Sequence, residues 1–311
     1  MIDFRYHLIS IIAVLLALSI GVVLGSGLLG EPLLDDLERN VSELEERNRD
    51  YRTQIDDLSR RISSQEDFVD AVAPYALAGS LDGEDIVLLT FEDTSGGAVD
   101  QLVEAVEIAG GTVMSRIEFT NKMELGDDLA RDELGLVIGS VTSRVGPLRI
   151  EAARLIGARA RVAAAADRGG LQRANALFAE LEEAGFVAVD RDGTVDAVPE
   201  GARFLVAAGS KDPPGYETGL FVRELGMALA AEEESVMVGE VAESAWGVVT
   251  AVLEDGAARE VISTVEGIDE ETGRIAAVLG FAAALEGGDA GHYGLDSEAE
   301  DGFLPPPPAA P

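Results

Sequence analysis

The sequence predicts an α/β protein built as an N-terminal transmembrane helix, a coiled-coil stalk and then a doubly wound, mostly parallel α/β domain. Three observations carry that expectation. No charged side chain occurs from Leu8 to Gly30, apolar residues then recur at heptad spacing as far as Val72, and beyond residue 78 buried-strand runs alternate with helical stretches. The chain accordingly divides into an anchor at 1–30, a stalk at 31–73, a domain at 78–294 and an acidic, proline-rich tail at 295–311 whose composition predicts disorder.

The 23 uncharged residues of the anchor would form a helix about 34 Å long, enough for the hydrocarbon core of a bilayer. Arg5 and the amino terminus lie on one flank, and Glu31, Asp35, Asp36 and Glu38 on the other. The positive-inside tendency therefore predicts a single-pass protein of the cell membrane with a short cytoplasmic N-terminus and the bulk of the chain outside. A cleaved secretory signal is the alternative, since Gly25-Ser26-Gly27 supplies small residues; against it, Leu8 to Leu24 is long for a signal core and no A-x-A site follows. Ala13, Ala17, Gly21 and Gly25 recur every four residues and would let a second helix approach, although such residues are common in membrane helices anyway.

With Leu34 at position a, the a column reads Leu34, Val41, Asn48, Ile55, Ile62, Val69 and the d column Leu37, Leu44, Tyr51, Leu58, Gln65, Val72. Mostly β-branched a residues with leucine prevailing at d predict two parallel strands, and Asn48 is the polar a residue that fixes register. The predicted assembly is a parallel homodimer or higher oligomer. Flanking charges divide, with Arg61 facing Glu66 favourably and Arg47 facing Arg52 unfavourably. A helix folded back on its own domain and a coiled coil with a different protein remain the alternatives. Either way, 39 helical residues would span about 58 Å.

Pro74 breaks the heptads, and Gly79 with Asp82-Gly83 predicts a turn before the domain. Strands are expected at 85–91 (DIVLLTF), 112–118, 134–139 (LGLVIG), 204–208, 236–238 and 261–265. Helices are expected at 98–109, 147–165, 170–184, 217–231 and 271–285. The alternation implies a parallel sheet covered on both faces.

A net charge of -35, of which residues 1–72 carry -7, disfavours nucleic-acid binding. Without cysteine there is no disulfide or thiolate chemistry. His7 and His292 are the only histidines, no H-E-x-x-H occurs, and a Ser-His-Asp set could be assembled only through His292; the chain reads as a non-enzyme without a cofactor. The methionines beyond Met1 are scattered, so no high-affinity copper site is written in the sequence. The loop Glu92 to Gly97 (EDTSGG) has neither a dinucleotide fingerprint nor a P-loop lysine and reads as a plain turn. The loop Gly209 to Gly215 (GSKDPPG) carries Lys211 and Asp212 but reads as ordinary surface. The acidic pairs at 182–183 and 232–234 read as solvated faces.

The N-terminal run RYHLISIIAVLLALSIGVVLGSG and the C-terminal run VISTVEGIDEETGRIAAVLGFAAALEGGDAGHYG resemble the actinobacterial envelope family MctB, the mycobacterial copper transport proteins. The resemblance implies a role in copper efflux or tolerance, with copper as the one metal it brings into view. It also implies a second role, in which relatives act at cell division as coiled-coil partners controlling a peptidoglycan hydrolase of the cell-wall machinery. No copper ligands carry over. Of the matching positions, Asp269, Gly273, Arg274, Gly291, His292, Tyr293 and Gly294 read as a structural signature. One apolar helix per chain cannot by itself line a pore, and no alternating strands suggest a membrane barrel.

Overall fold

Apolar side chains surround every face of the first helix, α1 (Phe4–Leu28). The computed structural model describes residues 4–28, 30–165, 168–191, 196–230, 235–294, 299 and 301–306, and it separates into two units, Met1–Asp67 and Phe68–Pro311. Within α1 the stretch Phe4–Gly25 has a mean hydropathy of 2.8 and none of it is buried by protein. A helix apolar all round and uncovered is suited by length and composition to lipid.

Helix α2 (Gly30–Leu77) is amphipathic. Ion pairs one turn apart, Arg39 with Asp36 (2.7 Å), Arg47 with Glu43 (3.0 Å) and Arg60 with Asp57 (2.5 Å), lie on its surface; each supports the helix by a few tenths of a kcal/mol. From Leu37 to Ile62 the apolar heptad residues are uncovered, from 46% exposed at Val41 to 62% at Leu44, whereas Val72 is 38% exposed and Val69 packs partly buried against the core of the second unit. The helix does not end at Pro74, as the broken heptads suggest, but runs on to Leu77, and the Ala78 amide donates to the Pro74 carbonyl at 3.2 Å. Proline removes one internal hydrogen bond, and burial of Ala73 and Leu77 in the second unit offsets that loss.

After the turn at 78–84 come β1 (Asp85–Phe91), α3 (Gly96–Ile108) and β2 (Thr112–Phe119). A 3-10 turn at Asn121–Glu124 leads to α4 (Asp128–Ile138), α5 (Val145–Ala164), α6 (Arg168–Glu183), β3 (Val187–Arg191) and β4 (Arg203–Ala208). The unit continues with α7 (Thr218–Leu229), β5 (Val236–Glu240), α8 (Val248–Leu253), α9 (Gly256–Arg259), β6 (Ile262–Glu266), α10 (Glu271–Leu285) and β7 (His292–Tyr293). Among the described residues the strands form one sheet in the order β3-β2-β1-β4-β5-β6-β7. All neighbours are parallel except β3, which runs antiparallel to β2. The fold is therefore mixed α/β with a mostly parallel sheet.

Strand β1 shows why the sheet needs a cover on each side: Ile86 to Leu89 are at most 1% exposed. Val87, Leu89 and Phe91 enter one core with Ile156 of α5, Phe178 of α6, Phe221 of α7 and Val252 of α8. Ile86 and Leu88 enter the other with Leu102 of α3, Phe281 of α10 and Leu77 of α2. On the first side α5 lies close against α7 because residue 157 is glycine; a Cβ there would sit 2.7 Å from the Leu225 carbonyl oxygen. Phe91, Phe119 and Phe221 pack with Trp246 and Tyr216 at centroid distances of 5.1 to 6.1 Å.

One expectation needs correction, and one strand was not anticipated. The run LGLVIG at 134–139 is the second half of helix α4, not a strand. The Asp127 carboxylate accepts from the Ala130 amide (2.8 Å), Gly139 closes the helix at φ 70°, and the turns bury Leu134 while leaving Leu136 84% exposed. The run VAVDR, unassigned in the sequence, is the antiparallel edge strand β3. Of the tail expected from residue 295, Asp301 donates its amide to the His292 carbonyl (3.2 Å) and Gly302 accepts from Gly294 (3.3 Å); residues 295–298 and 307–311, like the acidic residues 232–234, lie outside the described residues.

Phe221→Ala should cost about 3–5 kcal/mol, because it removes the ring shared by both ends of the aromatic cluster. Urea unfolding of the detergent-solubilised chain, followed by fluorescence of Trp246, the single tryptophan, checks this. A loss below about 1 kcal/mol, an ordinary surface effect, would contradict the packing.

Candidate functional site

In open parallel sheets, ligands bind outside the carboxyl ends of the strands, where the strand order reverses. Here that point lies between β1 and β4, and side chains fill it. The Trp246 indole donates to the Asp212 carbonyl (2.9 Å), and the Arg149 guanidinium lies 4.7 Å from the Tyr216 ring centre. A cavity of about 10 Å³ is left among Phe91, Phe119, Tyr216 and Trp246, room for about one water. Burial pushes the Tyr216 phenol up, and its hydroxyl has no partner among the described residues. The flanking loops hold each other: Glu92 accepts from the Asn121 amide (2.6 Å), the Ser95 amide donates to Gly209 (3.3 Å), and Lys211 pairs with Glu243 (2.7 Å).

The open space lies two strands away. A crevice of about 300 Å³ sits at the carboxyl ends of β5 and β6, lined by Glu240, Glu243, Ser244, Thr250, Glu266 and Glu270. Glu240 and Glu266 are register partners on adjacent parallel strands, so both project to the same face. Glu240 is 4% exposed. Its Oε2 accepts from the Val249 amide (2.7 Å) at the start of α8, and its Oε1 has no partner among the described residues. Sequence reasoning passed over Glu240; the available signal was a carboxylate closing the apolar run VMVGE, at the end of a strand where ligands gather.

The signature residues converge beside this crevice and are taken up in packing. Asp269 accepts from the Ala242 amide (2.6 Å), joining the loops after β5 and β6. Gly273, in the first turn of α10, packs on the β6–α10 turn, where a Cβ would stand 2.0 Å from the Gly267 carbonyl oxygen. Arg274, 7% exposed, donates to Gln101 of α3 (2.8 Å) and pairs with Glu271. The Tyr293 side chain is wedged between Gly280 and Gly291; an added Cβ would fall 2.5 Å from its ring at Gly280 and 2.1 Å from its hydroxyl oxygen at Gly291. The Gly294 amide donates to Gly302.

His292 is 5% exposed, with Nε2 3.1 Å from the Arg259 carbonyl and Nδ1 3.0 Å from the Thr264 hydroxyl. A carbonyl only accepts, so Nε2 carries the proton; in the neutral ring Nδ1 accepts from Thr264. Burial lowers the imidazole pKa and outweighs the raising effect of the Arg259 carbonyl. Both nitrogens are engaged, which leaves none for a nucleophile or a metal. Among the described residues no three His, Cys, Asp or Glu groups meet at metal-binding spacing.

In the first unit, Ala13, Ala17, Gly21 and Gly25 are exposed on α1, and a Cβ added at either glycine meets nothing within 4 Å. Asn48 of α2 lines a shallow groove with Val41, Leu44 and Arg52.

Comparison with known proteins adds a family. The model described as copper transport outer membrane protein, MctB, matches residues 1–304. Relatives named copper transporter MctB include those of Mycobacterium tuberculosis, 29% identical over 311 residues covering 94% of this chain and 96% of the relative, and of Mycobacterium leprae, 29% identical with coverage of 98% and 100%.

The lowered pKa of His292 makes the fold pH-dependent with a definite sign. The unfolded chain takes up the proton near the ordinary value of 6.5 and the folded chain only below it, so this stability is fully present above about pH 6.5 and is lost as pH falls beneath. Urea midpoints from pH 7.5 to 5.5 should fall for the native chain and flatten for His292→Gln. Equal slopes would contradict a buried, neutral imidazole.

Proposed function

Because the chain belongs to the MctB family of copper transport outer membrane proteins, we propose that it is a membrane-anchored envelope protein serving copper efflux or tolerance. The family match over residues 1–304 carries this reading, because it includes anchor, stalk and head together. In it, α1 spans the membrane with Arg5 on the cytoplasmic side, α2 pairs in parallel with α2 of a second copy, and the head, read as a doubly wound domain, lies outside the cytoplasm without catalysing a reaction. The absence of cysteine and the engagement of both His292 nitrogens favour a contribution to copper handling through assembly rather than through a soft-ligand copper site in the head.

A second reading rests on the uncovered heptad face of α2. A face of that kind suits a coiled coil with a cell-wall protein, and the chain would then be a scaffold regulating a peptidoglycan hydrolase at division.

Deleting the gene should raise cellular copper content and copper sensitivity, restored by the native chain; wild-type copper content in the deletion strain would contradict the first reading, and abnormal septation at normal copper content would favour the second. Since the chain lacks cysteine, single substitutions report helix pairing cleanly. Leu44→Cys, at a d position, should cross-link between copies on mild oxidation, whereas Glu46→Cys, on the outer face, should not. Equal cross-linking of the two variants, or none in either, would contradict a parallel pair of stalks.

A further inference from the structure

We propose that the crevice at the carboxyl ends of β5 and β6 binds an organic cation, a protonated amine or a guanidinium, on the carboxylate of Glu240. The site has three built-in features. Its charged lining is acidic, from Glu240, Glu243, Glu266 and Glu270. The neighbouring base, Lys211, is drawn to the rim by Glu243 at 2.7 Å. The most buried of the four carboxylates, Glu240 is 96% buried and keeps Oε1 without a donor among the described residues, although Oε2 is held by the Val249 amide. A buried carboxylate oxygen left without a donor is costly, and a charged N–H ligand is the partner that satisfies it best.

The arrangement selects an organic cation over a metal ion. Calcium needs six to eight oxygens converging at about 2.3–2.6 Å, and the described residues bring no three acidic or imidazole groups to metal-binding spacing. An ammonium or guanidinium instead directs several N–H groups outward, so it can bond Glu240 while the carboxylates of Glu243, Glu266 and Glu270 around it add attraction. The volume, about 300 Å³, is at the small end of ligand sites, and the Ser244 and Thr250 hydroxyls add polar lining. The site is independent of any copper role, so failure of either proposal leaves the other standing.

Isothermal titration of the detergent-solubilised full chain at low salt tests it. Agmatine and cadaverine stand for a free cation, and arginine and lysine with both ends blocked stand for a side chain of a protein partner; the tighter pair identifies the source. At least one should bind saturably at one per chain. Glu240→Gln, which keeps an oxygen for the Val249 amide, should weaken binding by about tenfold or more, and the exposed Glu270→Gln by a smaller factor with no effect on folding. Circular dichroism verifies that Glu240→Gln is folded, and Glu270→Gln carries the test if it is not. The proposal is overturned if none of the four probes binds saturably, if neither substitution changes the affinity, or if calcium chloride binds the crevice more tightly than every organic probe.

Discussion

Apolar surface that the structure leaves uncovered is the constraint from which the rest follows. The stretch Phe4–Gly25 has none of its residues buried, and along α2 the heptad residues Leu37, Leu44, Ile55, Leu58 and Ile62 are all more than half exposed. Covering a side chain of that size is worth about 1.5–3 kcal/mol. Lipid can cover the first surface, because a helix apolar all round has no preferred side. It suits the second poorly, because a narrow seam flanked by Arg, Asp and Glu matches another helix rather than a bilayer. Asn48 within that seam is costly in a lipid setting and useful in a paired one, where it selects a single register.

The head, by contrast, covers its own core. Strand β1 is buried on both faces, and the residues that could be mistaken for chemistry are consumed in holding the sheet edge together. His292 bridges β6 and the α9 end, Arg274 ties α10 to α3, and Asp269 ties two loops. Aromatic rings close the position where an open sheet usually receives a ligand. The exception is Glu240, whose buried carboxylate faces a crevice with one oxygen unspent.

Much of the head was legible because its strands are short apolar runs bounded by turn residues. DIVLLTF became β1, the runs at 204–208 and 236–238 became β4 and β5 with slightly wider limits, and helical spacing placed α3, α5, α6, α7 and α10. LGLVIG was misread because an apolar run of six looks alike in either state; the cap at Asp127, seven residues upstream, decided for helix. Strand β3 escaped because its identity comes from pairing with β2 rather than from its own five residues. The Glu240 crevice was invisible for a related reason: Glu240 and Glu266 are far apart in sequence, and only the register of β5 with β6 makes them neighbours.

The demand for a covered seam is settled by the mass of the solubilised protein. Sedimentation equilibrium of the full chain, in a detergent matched in density to the solvent, should give twice the 32.6 kDa chain mass or a larger whole multiple at micromolar concentration. A mass of one chain at every concentration, with α2 fully helical, would contradict helix pairing between copies and leave the exposed heptad face to a different partner.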